Sequence, residues 1–289
     1  MARRERPEAF QSSVSVMLDF VDLLLVRRGI ARDDCSLTFR RIDGSPGSKV
    51  VYFLPLQTSF SVARQLGFLP LEFLAAYEMP NAIASSEPGR CLQAMLTLAN
   101  DAEQLLNDNH IAARDAVVVG LSAGSYPATF LANRIGARLC SVASADRVDL
   151  LIWQSPAAGI IRRRASRKGY VVSHYSNTLE GSHPAQNLRG LAPHSLFVVG
   201  RGDPFIPVGR VNGLLAAIEA HAPRCHVVRL AAGHVKTMML SGRHQLRLPE
   251  VTARDLFRPI KLAGNPWAGI LSVSIAALQR SMKTQSSHS

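Results

Sequence analysis

Apolar residues along the chain fall into two kinds of run. Near-continuous runs of five or six residues lie at 49–54, 116–120, 148–153, 196–200 and 226–230. Each has the length and composition of a strand, and several read as strands buried on both faces. A further strand is expected at 36–42. The turn formers Asp43-Gly44-Ser45-Pro46-Gly47-Ser48 follow it and predict a hairpin with 49–54. Residues 75–80 read as a short buried strand and 60–75 as helical in part. The second kind of run is spaced. Leu92, Met95, Ala99, Ala102 and Leu106 recur at intervals of three and four, the signature of one helical face. Val211, Leu214, Leu215 and Ile218 mark another helix. A third starts near Gly124, tolerates Pro127 in its first turn and runs to about Arg134. Val14, Met17, Leu18, Val21 and Leu25 predict an amphipathic helix stopped by Gly29, and 267–278 predicts a closing helix. Buried strands alternating with amphipathic helices predict an α/β fold, with a mainly parallel central sheet flanked by helices.

One stretch breaks the alternation. Residues 157–194 show no clear strand and little helical period, and a long unpatterned segment in a compact domain reads as a functional insertion. The expected organisation is an N-terminal helical extension at 1–34, one domain at 35–282 carrying this lid-like insertion, and a disordered polar tail at 283–289. Composition adds little to that picture, at 47% hydrophobic residues. Four scattered cysteines without metal-ligand spacing fit reduced thiols in a cytoplasmic protein. Asp19 and Asp22 interrupt the N-terminal apolar run, which argues against a signal peptide, and no segment is apolar enough to span a membrane. The net charge is +12. Part of it is the cluster Arg162, Arg163, Arg164, Arg167 and Lys168, followed by Tyr170, His174 and Tyr175. Two readings stay open for this cluster: a solvated face on the insertion, or an attractor for an anionic substrate, acyl carrier or membrane surface. It matches no nucleic-acid motif.

The chemistry concentrates where strands end. In an open α/β sheet the reactive groups sit past the carboxyl ends of the strands. Val117-Val118-Val119 runs into Gly120-Leu121-Ser122-Ala123-Gly124, a strand ending in Gly-x-Ser-x-Gly and followed by a helix. That is the form of a nucleophile elbow, in which glycines let backbones pass close to a serine on a strained turn. Past 196–200 stands Asp203, and past 226–230 stands His234. Taken singly, Asp203 before Pro204 is an ordinary turn residue, and His234 is one of nine histidines. Taken together, the three supply a nucleophile, a carboxylate and an imidazole in that order. A serine hydroxyl needs a base to take its proton; histidine does this near neutral pH, and a carboxylate holds the imidazole's tautomer.

In these features the chain resembles the α/β-hydrolase superfamily, from about residue 35 onward. The resemblance rests on Gly120 to Gly124, on the strand and Gly-x-x-Asp segment ending at Asp203 with Pro207 after it, and on Gly233-His234. It implies the α/β-hydrolase fold with a short lid at 157–194. It implies Ser122 as nucleophile, Asp203 as acid, His234 as base and the Ala123 N–H as one oxyanion donor. Many members carry His-Gly where this chain reads Leu54-Pro55-Leu56-Gln57, so the second donor is expected from the N–H of Leu56 or Gln57, or the Gln57 amide. Arg162, Arg163, Tyr170, His174 and Tyr175 are the expected substrate or lid contacts. The implied activity is a serine hydrolase cleaving an ester or related acyl bond of a small-molecule substrate. The alternatives are a thioesterase or acyltransferase using an anionic acyl carrier, and a catalytically silent small-molecule receptor. No metal, cofactor or nucleic acid is expected.

Overall fold

The computed structural model describes residues 34–245. The expected helices at 14–25 and 267–278 and the tail at 283–289 lie outside them. In chain order the elements are β1 (Arg40–Asp43), β2 (Val50–Phe53), α1 (Phe60–Gln65), β3 (Ala75–Glu78), α2 (Pro88–Asp108), β4 (Val117–Leu121), α3 (Ser125–Ile135), β5 (Arg138–Val142), α4 (Val148–Gln154), α5 (Gly159–Arg167), α6 (Val172–Leu179), β6 (Leu196–Gly200), α7 (Val208–His221), β7 (His226–Leu230) and α8 (His234–Gln245).

The strands form one sheet in the order β1-β3-β2-β4-β5-β6-β7. Among the described residues only the β1–β3 pair is antiparallel; β2–β3, β2–β4, β4–β5, β5–β6 and β6–β7 are all parallel. Every residue of β2, β4, β5 and β6 is buried, as helices on both faces of a parallel sheet require. The strand order, the elbow after β4 and the helical excursion after β5 together make this the α/β-hydrolase fold.

The tertiary structure revises four expectations. First, 36–42 and 49–54 form no hairpin. β3 inserts between them, pairing antiparallel with β1 (Ile42 opposite Ala76) and parallel with β2 (Tyr52 opposite Ala76). The turn-rich segment still bends the chain, but its Gly44 and Ser45 N–H groups donate to Leu74 and Phe73 at the β3 side. Second, 148–153 is the helix α4, not a strand. Val148, Asp149 and Ile152 are its buried positions, a helical spacing hidden inside a run too short for periodicity to separate the two states. The strand belonging there is β5, whose Arg138 and Ser141 are buried although polar, so its apolar run is interrupted and does not stand out. Third, 157–194 is largely helical. α5 buries only Ile161 and Ala165, and α6 only Tyr175 and Leu179. Two buried residues per helix leave little period to read. The cap is therefore the whole excursion between β5 and β6, with α4, α5 and α6 as its helices. β7 also differs from the buried strand expected at 226–230: His226, Val227 and Arg229 are exposed on this end strand of the sheet.

Candidate active site

The elbow is built by close backbone approach. A Cβ on Gly120 would lie 2.5 Å from the Ser125 Cα and 2.6 Å from the Ala128 Cβ, where α3 crosses β4. A Cβ on Gly124 would lie 2.2 Å from the Phe53 carbonyl oxygen. The two glycines thus bring the turn against α3 on one side and the end of β2 on the other. Between them Ser122 takes φ +53°, a left-handed conformation that a non-glycine residue holds only when its surroundings over-determine it. The Ser125 Oγ lies 2.9 Å from the Gly120 carbonyl and 3.0 Å from that of Val142, tying the elbow to the end of β5.

The ends of β4, β6 and β7 bring Ser122, Asp203 and His234 into one hydrogen-bonded chain. The Ser122 Oγ lies 2.7 Å from the His234 Nε2, and the His234 Nδ1 lies 2.6 Å from the Asp203 Oδ2. Both side chains of the acid–imidazole pair are buried. The second oxygen of Asp203 accepts the N–H groups of Phe205 (2.8 Å) and Ile206 (3.1 Å). The turn reading of Asp203 and the chemical one are therefore the same geometry. The turn anchors Oδ1 and leaves Oδ2 to face the imidazole, and with Nδ1 donating, Nε2 is left as the acceptor facing Ser122. The Phe205 ring stands edge-on to His234, with centroids 4.8 Å apart, and walls it on one side.

Above Ser122 lies a cavity of about 140 Å³. Leu56 and Ala123 border it on the sheet side. Ile83 and Ala84, just after β3, and Tyr126 of α3 line it further. The cap supplies Val148, Leu151, Ile152 and Ile161. Among the described lining residues only His234 and Tyr126 carry titratable side chains, and Tyr126, whose hydroxyl pairs with Ser182 at 2.8 Å, has its pKa raised by burial and stays uncharged.

Gln57 does not line the cavity. It has φ +62°, and its side-chain amide is hydrogen-bonded to the Asn81 side chain. The five candidate lid contacts lie elsewhere too. The Arg162 Nη1 donates to the carbonyls of Ser155 (2.6 Å) and Ile152 (3.3 Å), closing the end of α4. Arg163 is exposed and bonds the Gly159 carbonyl within its own helix. Tyr170 packs edge-on against His174, whose Nδ1 accepts the Val171 N–H. Tyr175 is fully buried and donates to the Ser85 carbonyl at 2.8 Å. Of the rest of the basic cluster, Arg164 pairs with Asp34 and Lys168 with Glu87. The apolar lining residues of the cap went unnamed in the sequence, since most belong to helices whose short periods are faint.

Among the described residues there is no cluster of three or more His, Cys, Asp or Glu able to hold a metal, and no helix long and apolar enough to cross a membrane. All four cysteines are free thiols.

Neither a family profile nor any curated protein matches the chain. Solved structures do. An esterase of Pyrococcus furiosus is similar at 15% identity over 78% of this chain and 94% of its own, with a TM-score of 0.48. Thermogutta terrifontis esterase 2 is similar at 14% identity over 74% and 91%, with a TM-score of 0.47. The capsule O-acetyltransferase of Neisseria meningitidis serogroup A is similar at 12% identity over 72% and 88%, with a TM-score of 0.49.

Proposed function

We propose that the protein is a carboxylic ester hydrolase working through an acyl-Ser122 intermediate. The observation that carries this reading is the unbroken chain from the Ser122 Oγ through His234 to Asp203, opening onto an apolar cavity. The Ser122 Oγ attacks the ester carbonyl carbon while the His234 Nε2 takes its proton, and Asp203 stabilises the resulting imidazolium. The carbonyl oxygen becomes an oxyanion, and the N–H groups of Ala123 and Leu56 are the proposed donors, both residues bordering the cavity. The imidazolium returns its proton to the alcohol oxygen as the C–O bond breaks. Water, deprotonated by His234, then attacks the acyl carbon and releases the acid and free Ser122. The uncharged wall and the inward engagement of Arg162 favour a neutral ester over an anionic acyl carrier.

The test is labelling with a fluorophosphonate, read by mass spectrometry of the modified peptide. The expected result is a single adduct on Ser122, none in Ser122→Ala, and ester turnover that falls at acid pH as His234 is protonated. Folded protein that takes no label and hydrolyses no ester, yet binds small apolar ligands, would instead be a receptor on a hydrolase fold.

A further inference from the structure

The cavity also constrains what kind of ester fits. Resting on the reading above, we infer that the site takes compact, uncharged esters whose buried apolar portion is about the size of one phenyl ring or a six-carbon chain, and that it rejects both long acyl chains and acyl groups ending in a carboxylate.

Three observations carry this. The first is volume. The space over Ser122 is about 140 Å³, close to the roughly 150 Å³ of an apolar protein cavity that admits benzene. The space is open to solvent on one side, so a ten-carbon chain exceeds the walled volume and leaves its far carbons outside the apolar lining unless a wall moves. The second is the rigidity of the walls that would have to move. Ile161 is 2% exposed and Ile152 4% exposed, both within the main hydrophobic core. Arg162, next to Ile161, clamps the carbonyls of Ile152 and Ser155, so α4 and α5 are cross-tied where they line the cavity. The third is polarity. The wall hydroxyls have partners within the protein: the Ser155 Oγ accepts the Ala157 N–H at 3.2 Å, the Ser144 Oγ lies 3.4 Å from the Ala145 carbonyl oxygen, and Tyr126 pairs with Ser182. A carboxylate carried into this space meets no cation among the lining residues and loses its hydration without compensation.

The experiment is hydrolysis of methyl esters, which vary the acyl group while the leaving alcohol stays constant. The expected kcat/KM rises roughly three- to fourfold per methylene from acetate to hexanoate, as buried CH₂ groups predict. It is similar for benzoate, falls at least tenfold by decanoate, and is at least 100-fold lower for monomethyl adipate than for methyl hexanoate. Ile161→Ala moves the optimum toward octanoate or decanoate, and Ile161→Val moves it less. A second readout needs no turnover: Ser122→Ala protein should bind hexanamide at least tenfold more tightly than decanamide in calorimetry. If Ser122 takes the fluorophosphonate but decanoate is cleaved as fast as hexanoate, the size inference fails and ester hydrolysis stands. If Ser122 takes no label while hexanamide still binds in preference to decanamide, hydrolysis fails and the size inference stands. Equal binding of the two amides overturns the size inference in either case.

Discussion

Two buried aspartate–histidine pairs lie among the described residues, and their surroundings differ. In the first, the His234 Nδ1 lies 2.6 Å from the Asp203 Oδ2, the other carboxylate oxygen is held by backbone N–H groups, and the far ring nitrogen faces Ser122. In the second, the His183 Nε2 stands 3.4 Å from the Asp149 Oδ1 within the cap. There Asp149 is committed to Arg147, at 2.5 Å, and to the Ser176 hydroxyl, at 2.6 Å. Burial lowers the His183 pKa, and the neighbouring Arg147 charge lowers it further against the pull of Asp149. Burial works to raise the Asp149 pKa, but the Arg147 and Ser176 hydrogen bonds and the His183 charge outweigh it and hold it below the ordinary carboxylate value. Proximity of the two residue types therefore does not make a site. The first pair differs in having a short oriented bond, the Ser122 hydroxyl on the second ring nitrogen and a cavity beside it.

The contrast can be broken by mutation. Asp203→Asn should reduce kcat by about 10⁴-fold with little change in thermal midpoint, because the imidazole loses its tautomer and its counter-charge while the packing stays. Asp149→Asn should do the reverse, lowering stability by about 2–3 kcal/mol in urea unfolding while kcat on methyl hexanoate stays within severalfold, since it leaves a buried hydrogen-bonding cluster short of its charge. A 10²-fold loss of kcat in Asp149→Asn with unchanged stability would put the second pair in the chemistry.

Next in size is the elbow. Gly124→Ala should cost about 3 kcal/mol, because its Cβ meets the Phe53 carbonyl at 2.2 Å and backbone cannot swing aside as a side chain does. Gly89→Ala on α2, with nothing within 4 Å, should instead stabilise by about 0.5 kcal/mol. Denaturation midpoints for the two variants check the pair.

The cap pair also predicts a pH dependence of stability. The folded-state pKa values of His183 and Asp149 both lie below their ordinary values of 6.5 and 3.8. In each case the unfolded chain takes up the proton first as pH falls, so acid favours unfolding and stability rises with pH. The His183 contribution is present above its unfolded value and is lost as pH drops below it; that of Asp149 is lost at lower pH. Thermal midpoints from pH 7 to 5 should fall in the native protein and fall less in His183→Gln. The smallest effect is expected from the basic cap helix. Arg163→Ala should change kcat/KM for a neutral ester by less than twofold and stability by less than about 0.5 kcal/mol, as an exposed side chain bonded only within its own helix.

How much of this was legible beforehand differs by region. The strands at 196–200 and 226–230 carry their boundaries in the sequence, and β4 nearly so, because β-branched runs bounded by turn formers have one reading at that length. Ser122, Asp203 and His234 could be picked out because each stands just past such a strand. β5 and α4 could not. Arg138 and Ser141 are buried by neighbours remote in the chain, and a six-residue apolar run serves a helix as well as a strand. That the five lid candidates do not line the cavity has a related reason. Arg162, Tyr170 and Tyr175 have the residue types of a binding face, but their direction depends on how α5 and α6 pack.

The residue order by itself determined the class of fold and the identity of the three residues proposed for the chemistry, since alternation, turn chemistry and a glycine-flanked serine are local properties. Tertiary structure alone decided that β3 separates β1 from β2, that Arg162 turns to the Ile152 and Ser155 carbonyls, and that the space over Ser122 is small and uncharged. Each of these depends on contacts between segments far apart in the chain, where packing and hydrogen-bond satisfaction choose among arrangements that local pattern leaves equivalent.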